Sequence, residues 1–302
     1  MRTVGIIANL DKPKACAVQE RLLQLLHAHG MATVIIEIGQ GQLDKSDEMS
    51  QLAGAEMAFV LGGDGTLLGV ARQVAPYGVP LLGINIGHLG FLSEAEPTDV
   101  EETVRRVATR EYDLESRLML EASVLRDGRQ VSRLLALNDV GIGKGSFARM
   151  VNVDVHVDDV LLDAFRGDGV IVSTPTGSTA YSLSCGGPIM VPQLQAILVT
   201  PICPHTLSTR PCVIQADQTV RLRVHAPHQD LGLTVDGQIG VRLVSGDEVV
   251  VRKAPVTTTL VKWRDREFFS VLRQKLHGQD APRGGGILTT GGARGSAARV
   301  DH

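Results

Sequence analysis

The sequence has few aromatic residues, little excess charge and no closely paired cysteines. Aromatic residues make up 3% of the 302 residues, which disfavours platforms for stacking nucleic-acid bases. The formal net charge is −3, so the chain has no basic excess with which to bind a phosphate backbone. The four cysteines form no C-x-x-C pair, which leaves neither a zinc signature nor a disulfide framework. We therefore expect a reduced, cytoplasmic enzyme or binding protein without a nucleic-acid partner.

Long apolar runs are missing as well. The longest ones, such as residues 199–202, end at proline within a few residues, whereas a transmembrane helix needs about 20 apolar residues. The N-terminus leads directly into a strand pattern rather than into a signal peptide with a cleavage site. We expect no membrane partner. With 43% hydrophobic residues, the chain is long enough to form two domains with cores of their own.

The first part of the chain alternates between strand and helix patterns. Apolar runs at residues 3–9, 33–38, 57–61 and 80–84 alternate with helical spacing at residues 18–26, 67–74 and 98–107. Such alternation indicates βαβ units and a mostly parallel sheet. The spacing from Thr98 to Glu101 also predicts a capping box at the start of a helix.

Beyond residue 115, apolar and polar residues alternate in short strands separated by turns such as Asp127-Gly128 and Asp236-Gly237. The sequence thus predicts an α/β N-terminal domain over residues 1–115 and a β-rich C-terminal domain over residues 116–255. We expect residues 256–277, which end in an amphipathic helix, to return to the first domain. Residues 278–302 have little apolar content and are expected to be a disordered tail.

The sharpest local feature is Gly62-Gly63-Asp64-Gly65-Thr66, which lies between a buried strand and a helix. Glycines let backbone N–H groups approach a phosphate closely, and a helix N-terminus adds partial positive charge. Asp64 is unusual there, because phosphate repels a carboxylate unless the carboxylate binds a metal or accepts a proton. Taken alone, the cluster is explained equally well by a strand-to-helix turn capped by Asp64. It matches neither the Walker A loop nor the G-x-G-x-x-G fingerprint.

Two further polar clusters lie in the β-rich part. Residues 173–181 hold six hydroxyl-bearing side chains in nine residues, and Arg166 and Asp168 precede them beside glycines. Hydroxyl and backbone donors at a loop-to-helix junction suit the neutral and phosphate groups of a nucleotide. Asn138 and Asp139 end an apolar strand, where such side chains can bind ribose hydroxyls or an adenine amino group. Taken alone, each cluster also has an ordinary explanation: a capped helix, a surface ion pair or a strand-ending turn.

In this order, the three clusters resemble the pattern of the bacterial, ATP-dependent NAD kinase family. The similarity rests on G-G-D-G-T, on Asn-Asp at residues 138–139 and on S-T-P-T-G-S-T-A-Y from residue 173. The segment from Asn85 to Leu92 and Gly186-Gly187-Pro188 also match, so the similarity covers roughly residues 3–276. The Ser/Thr-rich motif is the more specific, since phosphofructokinases and lipid kinases share the glycine cluster. The resemblance implies an NAD kinase-like two-domain fold, with an α/β nucleotide-binding domain and a β-rich NAD-binding domain.

The resemblance also implies roles for individual residues. Asp64 is the expected general base, and Gly65 is its partner in binding. The other residues that match NAD contacts of the family are Asn138, Asp139, Arg149, Arg166, Asp168, Thr179, Ala180, Tyr181, Ser182, Leu183, Ser184 and Gln238. The motifs around Arg149 and Gln238 are looser. Asp139 stands where the family commonly has glutamate, and its shorter side chain is expected to reach the ligand through a water molecule.

The implied reaction is phosphorylation of the adenosine ribose 2′-hydroxyl of NAD by ATP, which gives NADP and ADP. Mg²⁺ is expected to bind mainly through the phosphates, so no protein residue is assigned as its ligand. We expect a homo-oligomer, either a dimer or a tetramer. An arginine at position 166 further implies a preference for NAD over NADH, through an ion pair with Asp168. Two alternatives stay open: a kinase for a lipid or sugar-phosphate acceptor, and a non-catalytic NAD-binding regulator.

Overall fold

The structure, a computed structural model, describes residues 2–39, 45–87, 90–144, 150–206, 208–225 and 231–277. Its strands are β1 (Thr3–Asn9), β2 (Ala32–Ile38), β3 (Ala58–Gly62), β4 (Leu81–Asn85), β5 (Asp113–Arg126), β6 (Arg129–Ala136), β7 (Asp139–Lys144), β8 (Val151–Val157), β9 (Val160–Gly167), β10 (Gly169–Ser173), β11 (Ala196–Ile202), β12 (Cys212–Gln215), β13 (Val220–His225), β14 (Leu231–Val235), β15 (Ile239–Leu243) and β16 (Glu248–Lys262). Its helices are α1 (Ala15–Ala28), α2 (Ser46–Met49), α3 (Asp64–Val74), α4 (Val100–Thr109), α5 (Tyr181–Ser184) and α6 (Phe268–His277).

The N-terminal part is an α/β structure in which strands β2, β1, β3 and β4 pair in parallel in that order. Helices α1 and α4 cover one face of the sheet, through residues such as Leu22 and Val104. Helix α3 covers the other face through Leu67 and Val70. Strands buried on both faces read as continuous apolar runs, which is why the sequence pattern identifies them.

The C-terminal part is rich in short antiparallel strands. Strands β12, β11, β10, β7, β14 and β15 form a six-stranded sheet in that order. It packs on the antiparallel end of the first sheet, around a core that includes Val124, Val172 and Val199. The β5–β6 hairpin turns at Asp127 and Gly128, both with positive φ, as a primed turn requires. The predicted fold class, an N-terminal α/β part followed by a β-rich part, is confirmed.

The two parts share one sheet, because β16 joins them. This strand pairs in parallel with β4 at Leu260 and Leu81, and it is antiparallel to β5 and β13. The boundaries predicted at residues 115 and 255 therefore fall inside β5 and β16, two long strands that run from one half to the other. The division into domains at those residues stays a prediction.

One local detail of the sequence analysis was wrong. The capping box before α4 is formed by Glu96 and Asp99, not by the residues from Thr98 to Glu101. Pro97 begins a short 3₁₀ turn, so Glu96 becomes the capping residue, and its backbone N–H donates to Asp99 Oδ2 at 3.1 Å. Proline is favoured at the first position of a helical turn because the missing N–H has no helical partner there.

The described chain divides into two compact units, the first ending at Asp265 and the second beginning at Arg266. In the second unit, α6 is present as the amphipathic spacing predicts. The rings of Phe268 and Phe269 pack edge to face, with their centroids 5.3 Å apart. Its return to the first domain stays a prediction, and the expected disordered tail, residues 278–302, lies outside the described residues. Across the described ranges, no helix has the length and apolar character that a membrane crossing requires.

Candidate active site

The glycine cluster lies at the edge of the parallel sheet where β3 ends and α3 begins. Gly62 packs against Thr66, and a Cβ at position 62 would overlap with the threonine side chain. The Thr66 hydroxyl accepts a hydrogen bond at 3.1 Å from the Asn9 carboxamide at the end of β1. Glycine is therefore required for a tight connection between strand and helix, and this connection places Asp64 in the first turn of α3.

Asp64 does not cap the helix. Gly63 occupies the capping position in an extended conformation, and the carboxylate of Asp64 turns towards the loop after β4. Its Oδ2 accepts a hydrogen bond from the backbone N–H of Phe91 at 2.8 Å, and the Ser93 hydroxyl lies 3.4 Å from its Oδ1. Gly90 lies directly against the carboxylate, so that a Cβ there would overlap with it. The loop after β4 thus orients Asp64.

A cavity of about 240 Å³ opens at the carboxyl ends of β3 and β4, where Gly62 and Gly63 lead into α3. Its lining residues are Lys12, Pro13, Lys14, Gly62, Gly63, Asn85, Ile86 and Gly87. Crevices at the carboxyl ends of parallel strands are the usual ligand sites of α/β sheets. Two lysine side chains and an adjoining helix N-terminus make this cavity suited to an anion. The sequence analysis missed both lysines, although they flank a proline directly after the first strand.

The Asn138–Asp139 turn forms the second half of the site. The backbone N–H groups of Asn138 and Asp139 donate to Asp236 Oδ1 at 2.7 and 3.1 Å. From the other side, the Thr174 hydroxyl donates to the carbonyl of Leu137 at 2.6 Å. In the described part of the chain, the carboxamide of Asn138 has no hydrogen-bond partner, which leaves it available to a ligand.

The hydroxyl groups of the Ser/Thr-rich segment mostly bind the protein itself. Ser173 and Thr174 donate to carbonyls of the turn at residues 137–138, and Ser178 donates to the carbonyl of Pro175 at 2.7 Å. Ser182 shares a hydrogen bond of 2.7 Å with Thr200. These four hydroxyls are buried, and the helical pieces of the segment have four residues each. These hydroxyls make hydrogen bonds within the protein, as burial requires, and their contacts with a nucleotide stay a prediction.

Asp139 is a buried carboxyl group, 5% exposed. Burial raises its pKa to about 7, and the negative charge of Asp236 adds to the rise. A carboxyl group with this pKa changes its charge near neutral pH, whereas an exposed aspartate is fully ionised there. The predicted water-mediated contact between Asp139 and the ligand stays a prediction.

The other predicted contact residues are distributed around this turn. Thr179, Ala180 and Leu183 are half-buried, and Tyr181 and Ser184 are exposed. The amide of exposed Gln238 bridges towards α3: it donates to the carbonyl of Gly65 at 2.6 Å and accepts from Arg72 at 2.7 Å. Arg149 lies outside the described residues.

The predicted ion pair between Arg166 and Asp168 is not formed among the described residues. Arg166 is an exposed residue of β9 in the ten-stranded sheet, whereas Asp168 leads into β10 of the other sheet. The backbone N–H of Asp168 donates to the carbonyl of Ile202 at 2.9 Å, and the chain passes from one sheet to the other at this residue. Residues two apart share a face only within one strand. The charge-based reason for preferring NAD over NADH therefore does not hold.

Two family models match this chain. The ATP-NAD kinase N-terminal domain matches residues 4–112, and the ATP-NAD kinase C-terminal domain matches residues 137–263. The NAD kinase of Symbiobacterium thermophilum is 47% identical over 282 residues, covering 92% of this chain and 100% of that protein. The NAD kinase of Heliobacterium modesticaldum is 45% identical over 279 residues, covering 91% of this chain and 99% of that protein.

Solved structures with the same fold include yeast NADH kinase complexed with NADH, which superposes with a TM-score of 0.81 at 23% identity. The match covers 94% of this chain and 90% of the yeast chain. An NAD kinase from Archaeoglobus fulgidus in complex with ATP superposes with a TM-score of 0.71 at 23% identity, covering 91% of this chain and 98% of that chain. At this identity the two structures support the fold.

Proposed function

This chain belongs to the ATP-NAD kinase family and phosphorylates NAD to NADP with ATP; we propose that Asp64 accepts the proton of the attacking 2′-hydroxyl. The observation that carries this role is the orientation of the Asp64 carboxylate by the N–H of Phe91 and by Ser93, directly after the Gly62–Gly63 turn that lines the cavity. A ribose hydroxyl is a weak nucleophile at neutral pH, so that both its position and the acceptance of its proton matter.

At the γ-phosphorus, the transfer forms one bond and breaks one, and a proton moves from the ribose to Asp64. The 2′-oxygen of the adenosine ribose attacks the γ-phosphorus of ATP while its proton passes to the Asp64 carboxylate. The bond from the γ-phosphorus to the bridging oxygen breaks, and ADP leaves with that electron pair. Phosphoryl transfer depends mainly on positioning and on neutralising the phosphate oxygens.

The cavity at the carboxyl ends of β3 and β4 is the proposed site for the ATP phosphates. Lys12 and Lys14 supply positive charge, and Gly62 and Gly63 let the backbone approach the phosphates closely. The N-terminus of α3, which begins after the lining residue Gly63, adjoins the same place. These groups favour anions, which is the chemistry that a triphosphate requires.

The proposed metal is Mg²⁺, which neutralises phosphate charge when it is bound with ATP. In the described chain, no cluster of three or more histidine, cysteine, aspartate or glutamate residues is arranged to hold a metal ion. The cavity lining offers cations and backbone groups, and the Asp64 oxygens already accept protein donors. Mg²⁺ keeps several waters and is usually held by substrate phosphates with one or two carboxylates, so the ATP phosphates would hold most of it here.

The proposed NAD-binding surface is the Asn138–Asp139 turn with residues 179–184. The carboxamide of Asn138 and the exposed side chains of Tyr181 and Ser184 are its available polar groups. Gly65, Arg149, Arg166, Asp168 and Gln238 stay proposed contacts on the strength of the family motifs. The cytoplasmic location and the homo-oligomer stay predictions from the sequence. A lipid or sugar-phosphate kinase and a non-catalytic regulator are not favoured, because the relatives named above are NAD kinases.

The test replaces Asp64 by asparagine and measures NADP formation from ATP and NAD. We expect turnover to fall by about 10²–10⁴, the usual contribution of a general base, while NAD still binds in a calorimetric titration. The matched control is Asp99→Asn, which removes a carboxylate at another helical turn that also accepts a backbone N–H. Near-normal turnover of Asp64→Asn would show that another group takes the proton.

A further inference from the structure

Asp236 is a carboxylate near the site that accepts four hydrogen bonds. Its side chain is fully buried. Oδ1 accepts from the backbone N–H groups of Asn138 and Asp139, and Oδ2 accepts from that of Leu137 at 3.1 Å and from Arg72 at 2.6 Å. Its own backbone N–H donates to the carbonyl of Asp139 at 2.9 Å. Three successive residues of the turn at residues 137–139 are therefore held by one side chain.

Arg72 connects this carboxylate to the helix that carries Asp64. It lies two turns along α3 from Asp64, and its side chain is 9% exposed. One guanidinium nitrogen binds Asp236, and the other binds the Gln238 carbonyl oxygen at 2.7 Å. The Gln238 amide donates in turn to the backbone carbonyl of Gly65. The hairpin turn after β14 is thus attached to α3 at two points, one of them next to Asp64.

The geometry requires both oxygens of Asp236 to accept. An asparagine at this position has one acceptor, and its NH₂ group would face either the N–H donors of the turn or the guanidinium of Arg72. The backbone at Asp236 has φ of +50°, a conformation that aspartate and asparagine tolerate better than most residues. Asp236→Asn therefore changes the hydrogen bonding while the backbone of the turn is kept.

We propose that Asp236 and Arg72 are positioning residues, which fix the Asn138–Asp139 turn relative to Asp64 for the transfer to the 2′-hydroxyl. The inference rests on the proposed function, since it assumes that NAD binds at this turn and is phosphorylated beside Asp64. Neither residue needs to touch a substrate. The network instead sets the distance between two groups that belong to different halves of the chain.

The experiment measures steady-state kinetics, NAD affinity and melting temperature for Asp236→Asn and Arg72→Met. We expect kcat/KM for NAD to fall by about 10²-fold, as for a displacement of roughly 1 Å at a reacting centre, with the KM for ATP unchanged. Arg72→Lys keeps the charge but cannot bind Asp236 and Gln238 together, so that it should recover part of the activity.

Asp247→Asn is the matched control. Asp247 is also a buried turn carboxylate of the β-rich half, which binds Arg126 at 2.8 Å and the backbone N–H of Val244 at 2.9 Å. We expect it to lower the melting temperature about as much as Asp236→Asn does and to leave both KM values unchanged. Equal kinetic losses in the two variants would overturn the proposal, because the losses would then report stability alone.

The double variant Arg72→Met, Asp236→Asn separates the effect on stability from the effect on positioning. It removes the buried charge of both partners, so that melting temperature should recover relative to Arg72→Met, while kcat/KM for NAD should not. Recovery of both would overturn the positioning role. NAD affinity is also measured by calorimetry without ATP. A wild-type chain that makes no NADP would contradict the proposed function, whereas unchanged kinetics of the variants in an active enzyme would contradict only this inference.

Discussion

At the carboxyl ends of the parallel strands, the site is shaped by residues that have no side chain, because Gly62 leaves space for Thr66 and Gly90 leaves space for the Asp64 carboxylate. In the β-rich half, the turn at Asn138 is held by side chains, namely Asp236 on its N–H side and Thr174 on its carbonyl side. The first arrangement depends mainly on close approach, the second on buried hydrogen bonds. Substitutions should therefore affect the two halves in different ways.

The largest effect is expected at the glycine-shaped half. Gly90→Ala places a methyl group where the Asp64 carboxylate lies, so Asp64 must move away from Phe91 and Ser93. We expect kcat to fall by about 10²-fold or more, with NAD affinity retained, in an assay of NADP formation. The control is Gly240→Ala, where an added Cβ meets nothing within 4 Å. A fully active Gly90→Ala would mean that close approach does not shape this half.

The second effect concerns the buried carboxyl of the other half. The pKa of Asp139 is about 7 in the folded chain, against 3.8 for a free side chain. Between those pH values the folded state holds an extra proton, so this group makes the free energy of unfolding fall as pH rises from about 4 to 7. Well above pH 7 the carboxyl is ionised in both states, and the free energy of unfolding falls no further through this group.

Asp139→Asn removes this titration. We expect the variant to gain about 2–3 kcal/mol relative to wild type between pH 5 and pH 8, measured by urea unfolding at both values. Asp217→Asn, at an exposed turn, should show no such difference. The same stability difference from wild type at both pH values would contradict the raised pKa of Asp139.

The third effect tests whether the cavity binds the phosphates of ATP. Lys12→Met removes one cation of the proposed phosphate site, and we expect the KM for ATP to rise by about 10-fold, as for one charge-assisted hydrogen bond. The KM for NAD should not change, because Asn138 and Asp139 are not among the residues that line the cavity. Lys253→Met, which removes an exposed lysine bound to Gln195, is the control. A rise confined to the KM for NAD would indicate that NAD, not ATP, binds in the cavity beside Lys12.

The smallest effect is expected from removing residues 278–302, the predicted tail. The segment has little apolar content, so its deletion should leave turnover and melting temperature nearly unchanged. A loss of several degrees in differential scanning calorimetry would show that the segment packs on the protein.

The order of strands and helices could be predicted from the sequence, because burial imposes a local period. Strands β1, β3 and β4 are apolar runs, and α1, α3 and α4 show helical spacing. The glycine turn and the position of Asp64 could also be located, since their residues are neighbours in the chain. The details that failed, such as the Arg166–Asp168 pair, assume that local spacing continues through a change of sheet.

The amino-acid sequence by itself determined the family and the two kinds of structure, because both depend on contiguous motifs and local periods. Only the tertiary structure decided how the halves are joined. Asp236 binds a turn about 97 residues away, and Arg72 reaches Asp236 across 164 residues. A hydrogen bond between distant residues leaves no local period in the sequence. It exists because the six-stranded sheet, which carries β14, packs on the sheet that the two parts share, so that the hairpin after β14 contacts α3 and buried donors and acceptors must be paired.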